Sequence, residues 1–232
     1  IVLTKILGVL YVIPFYSIVG QNGSVIYGAA YNIYAIFLNL STVGLPLAIS
    51  KMVSEYHTLG YEYTKRKTYK IAGRVMIITS LITTFLLLIF APLLAKYIIN
   101  FNDYSNLSYV LGNFAQSQAN LMYGEFLIRE ISFVIRISAS AIFFVTLISM
   151  IRWDLEGMKY IQPSSISQVL EQFIRVLVIL VGSYLCVFVF KTSLGIAVGI
   201  SVFGATLGAI GAYIYLRHKK KQIPNIIISK SH

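Results

Sequence analysis

Long apolar runs constrain this chain more than any other feature of its sequence. Six of them, at about 1–19, 27–49, 72–99, 131–151, 166–190 and 194–216, are long enough to be read as membrane-crossing helices. The hydrocarbon core of a bilayer is about 30 Å thick and a helix rises 1.5 Å per residue, so about 20 apolar residues suffice. Transmembrane β-strands would instead show segments of about ten residues alternating apolar and polar. The expected fold is therefore all-α, a polytopic bundle of about six transmembrane helices. It is divided into a six-span lobe at 1–216 and a basic cytoplasmic tail or inter-lobe linker at 217–232.

Composition closes the soluble alternative. Hydrophobic residues make up 57% of the 232 residues and charged residues 12%. A soluble domain needs a mostly polar skin, with roughly 25% charged residues on average. Cys186 stands alone, which excludes a disulfide scaffold. A net charge of +11 would suggest nucleic acid in a soluble chain, but the cations collect at the ends of apolar runs, so no nucleic-acid partner is expected. The chain opens at Ile1, inside an apolar stretch and without a signal-peptide pattern, and reads as a fragment whose start is missing.

The cations also orient the bundle. Lys51, Lys65, Arg66, Lys67, Lys70 and Arg74 follow the second run, Arg152 and Lys159 the fourth, and Arg217, Lys219, Lys220, Lys221 and Lys230 the sixth. These thirteen face only Lys96, Arg129 and Lys191 on the other side. Cytoplasmic loops carry the excess of Lys and Arg, so both ends are expected in the cytoplasm and the chain in the inner membrane. The polar link Gln21-Asn22-Gly23-Ser24 reads as a tight external turn, and the connection at about 100–130 as an interfacial or partly helical loop.

Ionisable residues inside a span are costly and normally face a cavity, a partner or a substrate. Gln168, Glu171, Gln172 and Arg175 fall on one stripe of the fifth helix, with Glu171 and Arg175 four apart in the favourable acid-first order. The stripe reads either as an ion pair near the cytoplasmic surface or as the wall of a polar cavity. Arg136 requires a partner on another helix, a phosphate, or snorkelling to the outer interface. Lys5 is a further cavity candidate or a cytoplasmic flank. In the sixth run, Gly195, Gly199, Gly204, Gly208 and Gly211 point to close helix packing. His57, His218 and His232 lie in loops or the tail. With no nucleophile–base pair and no metal-ligand spacing, neither an enzyme nor a cofactor or metal is expected.

Several strings carry a family resemblance. The segment Gly44 to Tyr56 (Gly-Leu-Pro-Leu-Ala-Ile-Ser-Lys-Met-Val-Ser-Glu-Tyr) resembles the turn leaving the second span of bacterial polysaccharide-biosynthesis and lipid II flippases. Ser164 to Val176 is similar to the segment opening that family's fifth span. Arg152, Gly157-Met158 and Pro163 resemble its turn after span four, and Lys5-Ile6-Leu7-Gly8 with Ile13-Pro14-Phe15-Tyr16 its first span. The chain is identified as the first lobe of a member of the multidrug/oligosaccharidyl-lipid/polysaccharide exporter superfamily, nearest its MurJ-like peptidoglycan branch.

The resemblance implies a flippase or exporter of a lipid-linked oligosaccharide or peptidoglycan precursor, working by alternating access. Its partners would be membrane lipids, a lipid-linked sugar pyrophosphate and a missing C-terminal lobe. Arg175, Arg136 and Lys5 would supply positive potential to the cavity, Glu171, Gln172 and Gln168 would tune it, and Arg152 would act as a cytoplasmic gate or topology anchor. Val12 and Ser17 stand where the family's first span usually carries arginines, and Trp153, Asp154 and Glu156 replace its usual glycine, aromatic and glutamine. Those departures leave open a cation-coupled drug exporter of the same superfamily, or a degenerate membrane interaction protein that transports nothing. A glycosyltransferase acting on the same lipids would need a buried His or Asp that the spans lack.

Overall fold

The computed structural model describes residues 2–42, 44–101 and 116–230. They form α1 (Val2–Leu10), α2 (Val12–Thr42), α3 (Gly44–Thr58), α4 (Glu62–Phe101), α5 (Gln116–Gly157), α6 (Ile161–Tyr184), a π-helical turn (Leu185–Val189) and α7 (Leu194–Lys230). No strand occurs among these described residues.

The first two spans are joined by a single residue. α2 contains Gly20 at φ 69° and ψ −171°, a conformation outside the helix that is open to glycine without penalty. In a straight helix Tyr11 and Tyr27 would lie about 24 Å apart. Their hydroxyls instead meet at 2.9 Å, and the Phe15 and Tyr27 rings stand edge to face at 4.9 Å. The chain therefore doubles back at Gly20, and the stretch Ile6–Asn39 supplies two antiparallel arms rather than one long span. With the helices at 63–99, 123–157, 161–189 and 194–222, the described residues supply five helices long and apolar enough to cross a membrane, and dividing the first at Gly20 makes six crossings.

This corrects the expected turn. Gln21 to Ser24 are helical, with Ser24 Oγ donating to the Gln21 carbonyl at 2.7 Å. The polar residues looked like the turn, but backbone freedom placed it one residue earlier. The second crossing also ends sooner than its apolar run suggests, since α2 stops at Thr42 and a separate helix begins at Gly44. Pro46 lies in the first turn of α3, where its missing N–H leaves no helical bond unmade. Pro14 accounts for the break between α1 and α2, because its ring crowds the carbonyl of Leu10 four residues earlier, where α1 ends.

α5 and α7 form the centre. Within their most apolar windows 61% and 56% is buried, against 17% for α4 and α6, so the latter two stand at the periphery. The core joins Phe15, Ile26 and Ile33 of α2 to Leu87, Ala91 and Ala95 of α4 and Ile131, Ile135, Ala139 and Ile142 of α5. The α5 positions recur at three- and four-residue intervals, the signature of one helical face. Residues 102–115 of the expected outer loop lie outside the described residues, while Gln116 to Glu130 already belong to α5. The sixth span likewise runs on without a break through Arg217 and Lys219 to Lys221, so the basic segment up to Lys230 is a helical extension of α7.

At the cation-rich end three helices are tied together. The buried Asp154 of α5 accepts from Lys220 of α7 at 2.5 Å, and the Lys220 ammonium sits 4.0 Å above the ring of Tyr69 on α4. Asp154 and Glu156 thereby both have structural work, since Glu156 accepts a short hydrogen bond from Ser164 Oγ. Replacing Lys220 with alanine leaves the Asp154 carboxylate buried without its cation. We expect a loss of about 1.5 kcal/mol, discounted for the partial exposure of Lys220, read as a thermal midpoint lower by roughly 3–6 °C. Lys220→Arg should recover most of it.

Candidate functional site

The stripe on α6 forms because Gln168, Glu171, Gln172 and Arg175 recur at helical spacing, and it faces inward because α7 presents glycines to it. A Cβ at Gly208 would approach the Glu171 backbone oxygen at 2.5 Å, and one at Gly204 the Arg175 carbonyl at 3.1 Å. The absence of side chains at these α7 positions thus lets the polar turns of α6 lie directly on its backbone.

Glu171 is clamped between two arginines. Its Oε1 accepts from Arg175 Nη2 at 2.7 Å, and its Oε2 accepts from Arg152 Nη2 at 2.8 Å. The three side chains are 10%, 22% and 12% exposed, so the cluster sits largely out of solvent. Arg152 also donates through Nε to Ser167 Oγ at 2.8 Å, and Ser167 in turn donates to the Ser164 carbonyl at 2.6 Å. Arg175 reaches Gln172 Oε1 through Nη1 at 3.4 Å. A polar chain therefore runs from Glu156 through Ser164, Ser167, Arg152 and Glu171 to Arg175.

Beyond Arg175 the chain opens into a cavity of about 170 Å³ between α1, α2, α6 and α7. Tyr11, Tyr27, Tyr31, Tyr34, Gln172 and Arg175 supply its polar wall. Tyr27 and Tyr31 are stacked with ring centroids 5.7 Å apart. Two buried polar atoms have no hydrogen-bond partner among the described residues, Tyr34 Oη and Arg175 Nε, and both residues line this cavity. Neither atom itself is open to the cavity, so what the space offers a polar ligand is the rest of its wall, the guanidinium of Arg175, the Gln172 amide and the tyrosine rings. One carboxylate against two guanidiniums leaves the cluster net positive, which suits an anion.

Of the residues singled out in the sequence, Glu171, Gln172, Arg175 and Arg152 come together. Gln168 is half-buried on the same helix but does not line the cavity. Arg136 does not join them. It is exposed beside Pro92, Glu125 and Arg129, because it lies off the α5 face formed by Ile131, Ile135 and Ile142. The Lys5 side chain lies outside the described residues, although its backbone belongs to α1. The tyrosines escape a search for ionisable residues inside the spans, since they carry no charge and sit within apolar runs. The signal was present in the spacing of Tyr27, Tyr31 and Tyr34, four and three apart on one helical face. Among the described residues no group of three His, Cys, Asp or Glu is arranged to hold a metal ion.

Comparison with known proteins agrees with this architecture. The chain is 34% identical over 222 residues to the Bacillus subtilis protein named lipid II flippase MurJ, covering 94% of this chain and 37% of that protein. It is 25% identical over 173 residues to the Bacillus subtilis stage V sporulation protein B, covering 75% of this chain and 28% of that one. The chain thus spans about a third of the length of the curated relatives it matches. Its fold is shared with a solved multidrug resistance MATE family transporter of the MOP superfamily, in an inward-facing conformation. The TM-score is 0.69 at 16% identity, over 96% of this chain and 46% of that one. These crossings make the chain a multi-pass membrane protein. The model of the family described as polysaccharide biosynthesis protein matches residues 1–232, and the chain belongs to that family.

Proposed function

We propose that this chain is one lobe of a flippase that carries a lipid-linked sugar pyrophosphate across the bacterial cytoplasmic membrane by alternating access, with both ends of the lobe in the cytoplasm. The observation that carries this reading is the cavity whose wall sets Arg175 and Gln172 among four tyrosines, next to a cluster of two arginines on one carboxylate. A pyrophosphate accepts charge-assisted hydrogen bonds from guanidinium groups, strongly so in a site of low dielectric. The stacked tyrosines offer apolar faces to the sugar, and the lipid tail stays in the bilayer. A second lobe completes the pathway, since alternating access requires one bundle to rock against another.

A drug exporter built on the same fold would need an acid free to meet a cation. Glu171 is already held by Arg152 and Arg175, which favours the anion. The test is binding of a pyrophosphate lipid and of a lipophilic cation to the full-length protein. Arg175→Ala is expected to weaken pyrophosphate-lipid binding by about tenfold to a hundredfold, the range for one lost charge-assisted hydrogen bond. Arg136→Ala, outside the cavity, should leave binding within about twofold. Unchanged headgroup binding in Arg175→Ala, or tighter binding of the cation than of the pyrophosphate lipid, would sink the reading.

A further inference from the structure

A second polar cavity, of about 440 Å³, lies at the cation-rich end between the start of α6 and residues 215–222 of α7. Lys159, Tyr160, Gln162, Tyr215, Lys219 and Gln222 give it its polar groups, and none of the residues lining it is acidic. The nearest acids on the preceding helix are engaged elsewhere, Asp154 with Lys220 and Glu156 with Ser164. Lys219 Nζ spends one of its three donors on Gln222 Oε1 at 3.3 Å, and Gln222 Nε2 in turn lies 3.0 Å from His218 Nε2. The wall continues into Ile161 and Ile166, which are 62% and 44% exposed and lead onto the outer surface of α6.

Lys159 itself is in an unusual position. α5 ends in a turn in which Tyr160 N–H donates to the Leu155 carbonyl at 2.8 Å and Lys159 N–H to the Glu156 carbonyl at 2.9 Å. The same pair of bonds ends α3, from Tyr61 to Tyr56 and from Gly60 to His57. This motif requires a left-handed residue and normally uses glycine, as at Gly60 with φ 74°. At the second turn the left-handed residue is Lys159, with φ 66°. A β-carbon is disfavoured there, so the side chain contributes something that the turn does not need.

We propose that this cavity binds the phosphate headgroup of an anionic phospholipid. The headgroup phosphate lies between Lys159 and Lys219, and its acyl chains run down over Ile161 and Ile166. Basic pockets between helices at the membrane surface suit such headgroups, and Tyr160 and Tyr215 have the amphipathic rings that settle at that level. The apolar continuation of the wall distinguishes a lipid from a free phosphate ion. The site is separate from the tyrosine-lined cavity, so it holds whether or not the lobe moves a pyrophosphate lipid.

The test uses the full-length protein in nanodiscs of phosphatidylcholine with and without phosphatidylglycerol, followed by lipid retention in native mass spectrometry. Lys159→Gly and Lys219→Gln are each expected to lower phosphatidylglycerol retention about fivefold, while Lys159→Arg preserves it. Lys159→Gly should also raise the thermal midpoint in lipid-free detergent by about 2 °C, since glycine relieves the left-handed position. Loss of binding alongside gain of stability separates a ligand-binding lysine from a structural one. Inorganic phosphate at millimolar concentration should not compete. Wild-type retention in both Lys159→Gly and Lys219→Gln would overturn the site. Competition by inorganic phosphate as effective as that by phosphatidylglycerol would overturn the lipid assignment.

Discussion

A Glu171→Ala variant is expected to lose about 3–5 kcal/mol of stability, lowering the thermal midpoint in detergent by roughly 6–20 °C. Glu171 is the carboxylate that two largely buried arginines share, at 2.8 Å to Arg152 and 2.7 Å to Arg175. Removing it leaves two desolvated positive charges facing one another across the cavity left by its side chain. The origin of the loss can be checked directly. Arg152→Met and Arg175→Met, added to Glu171→Ala, should recover most of the midpoint, because a buried ion cluster replaced by apolar residues of similar size is often neutral. A midpoint within about 2 °C of the parent in Glu171→Ala alone would show that water reaches the cluster.

The second large effect belongs to a residue that makes no polar contact through a side chain. Gly208→Val should cost about 3 kcal/mol, because its Cβ would come within 2.5 Å of the Glu171 carbonyl oxygen, a backbone atom that cannot rotate away. Gly211→Ala offers the contrast. There the closest atom is Cδ1 of Ile174, also at 2.5 Å, at the end of a side chain that can take another rotamer. A cost below about 1 kcal/mol is expected. Chemical denaturation of the two variants in one detergent distinguishes them, and a loss below about 1 kcal/mol in Gly208→Val as well would mean that α6 and α7 can move apart to accommodate the larger side chain.

The parts of this architecture that the sequence displays are those set by local spacing. Six crossings follow from apolar length, and the inward stripe of α6 from the intervals between Gln168, Glu171, Gln172 and Arg175. What the sequence hides depends on pairings distant along the chain. Arg152 looks like a residue of the interface, yet its partner Glu171 stands nineteen positions away on another helix. Arg136 shows the complementary difficulty, for depth in a span can be read from position but the face it occupies is fixed by neighbouring helices. The boundary between α2 and α3 is concealed because apolar residues continue from one into the other. Tyrosine conceals the cavity wall, since its uncharged ring passes for part of an apolar run while its residues line the cavity.

The one-residue turn at Gly20 bears on how the lobe enters the bilayer. Tyr11 and Tyr27 bring two hydroxyls to 2.9 Å inside the hairpin, each the partner of the other. An arm inserted alone would present its hydroxyl to hydrocarbon, whereas the paired arms satisfy both groups within the hairpin. With no loop to store slack, the ends of the two arms at Gly20 are fixed to each other as the turn forms. The first two crossings are thus best inserted during synthesis as a single folded unit. Breaking the hydroxyl pair would be felt in the yield of correctly inserted protein before it was felt in the stability of the finished bundle.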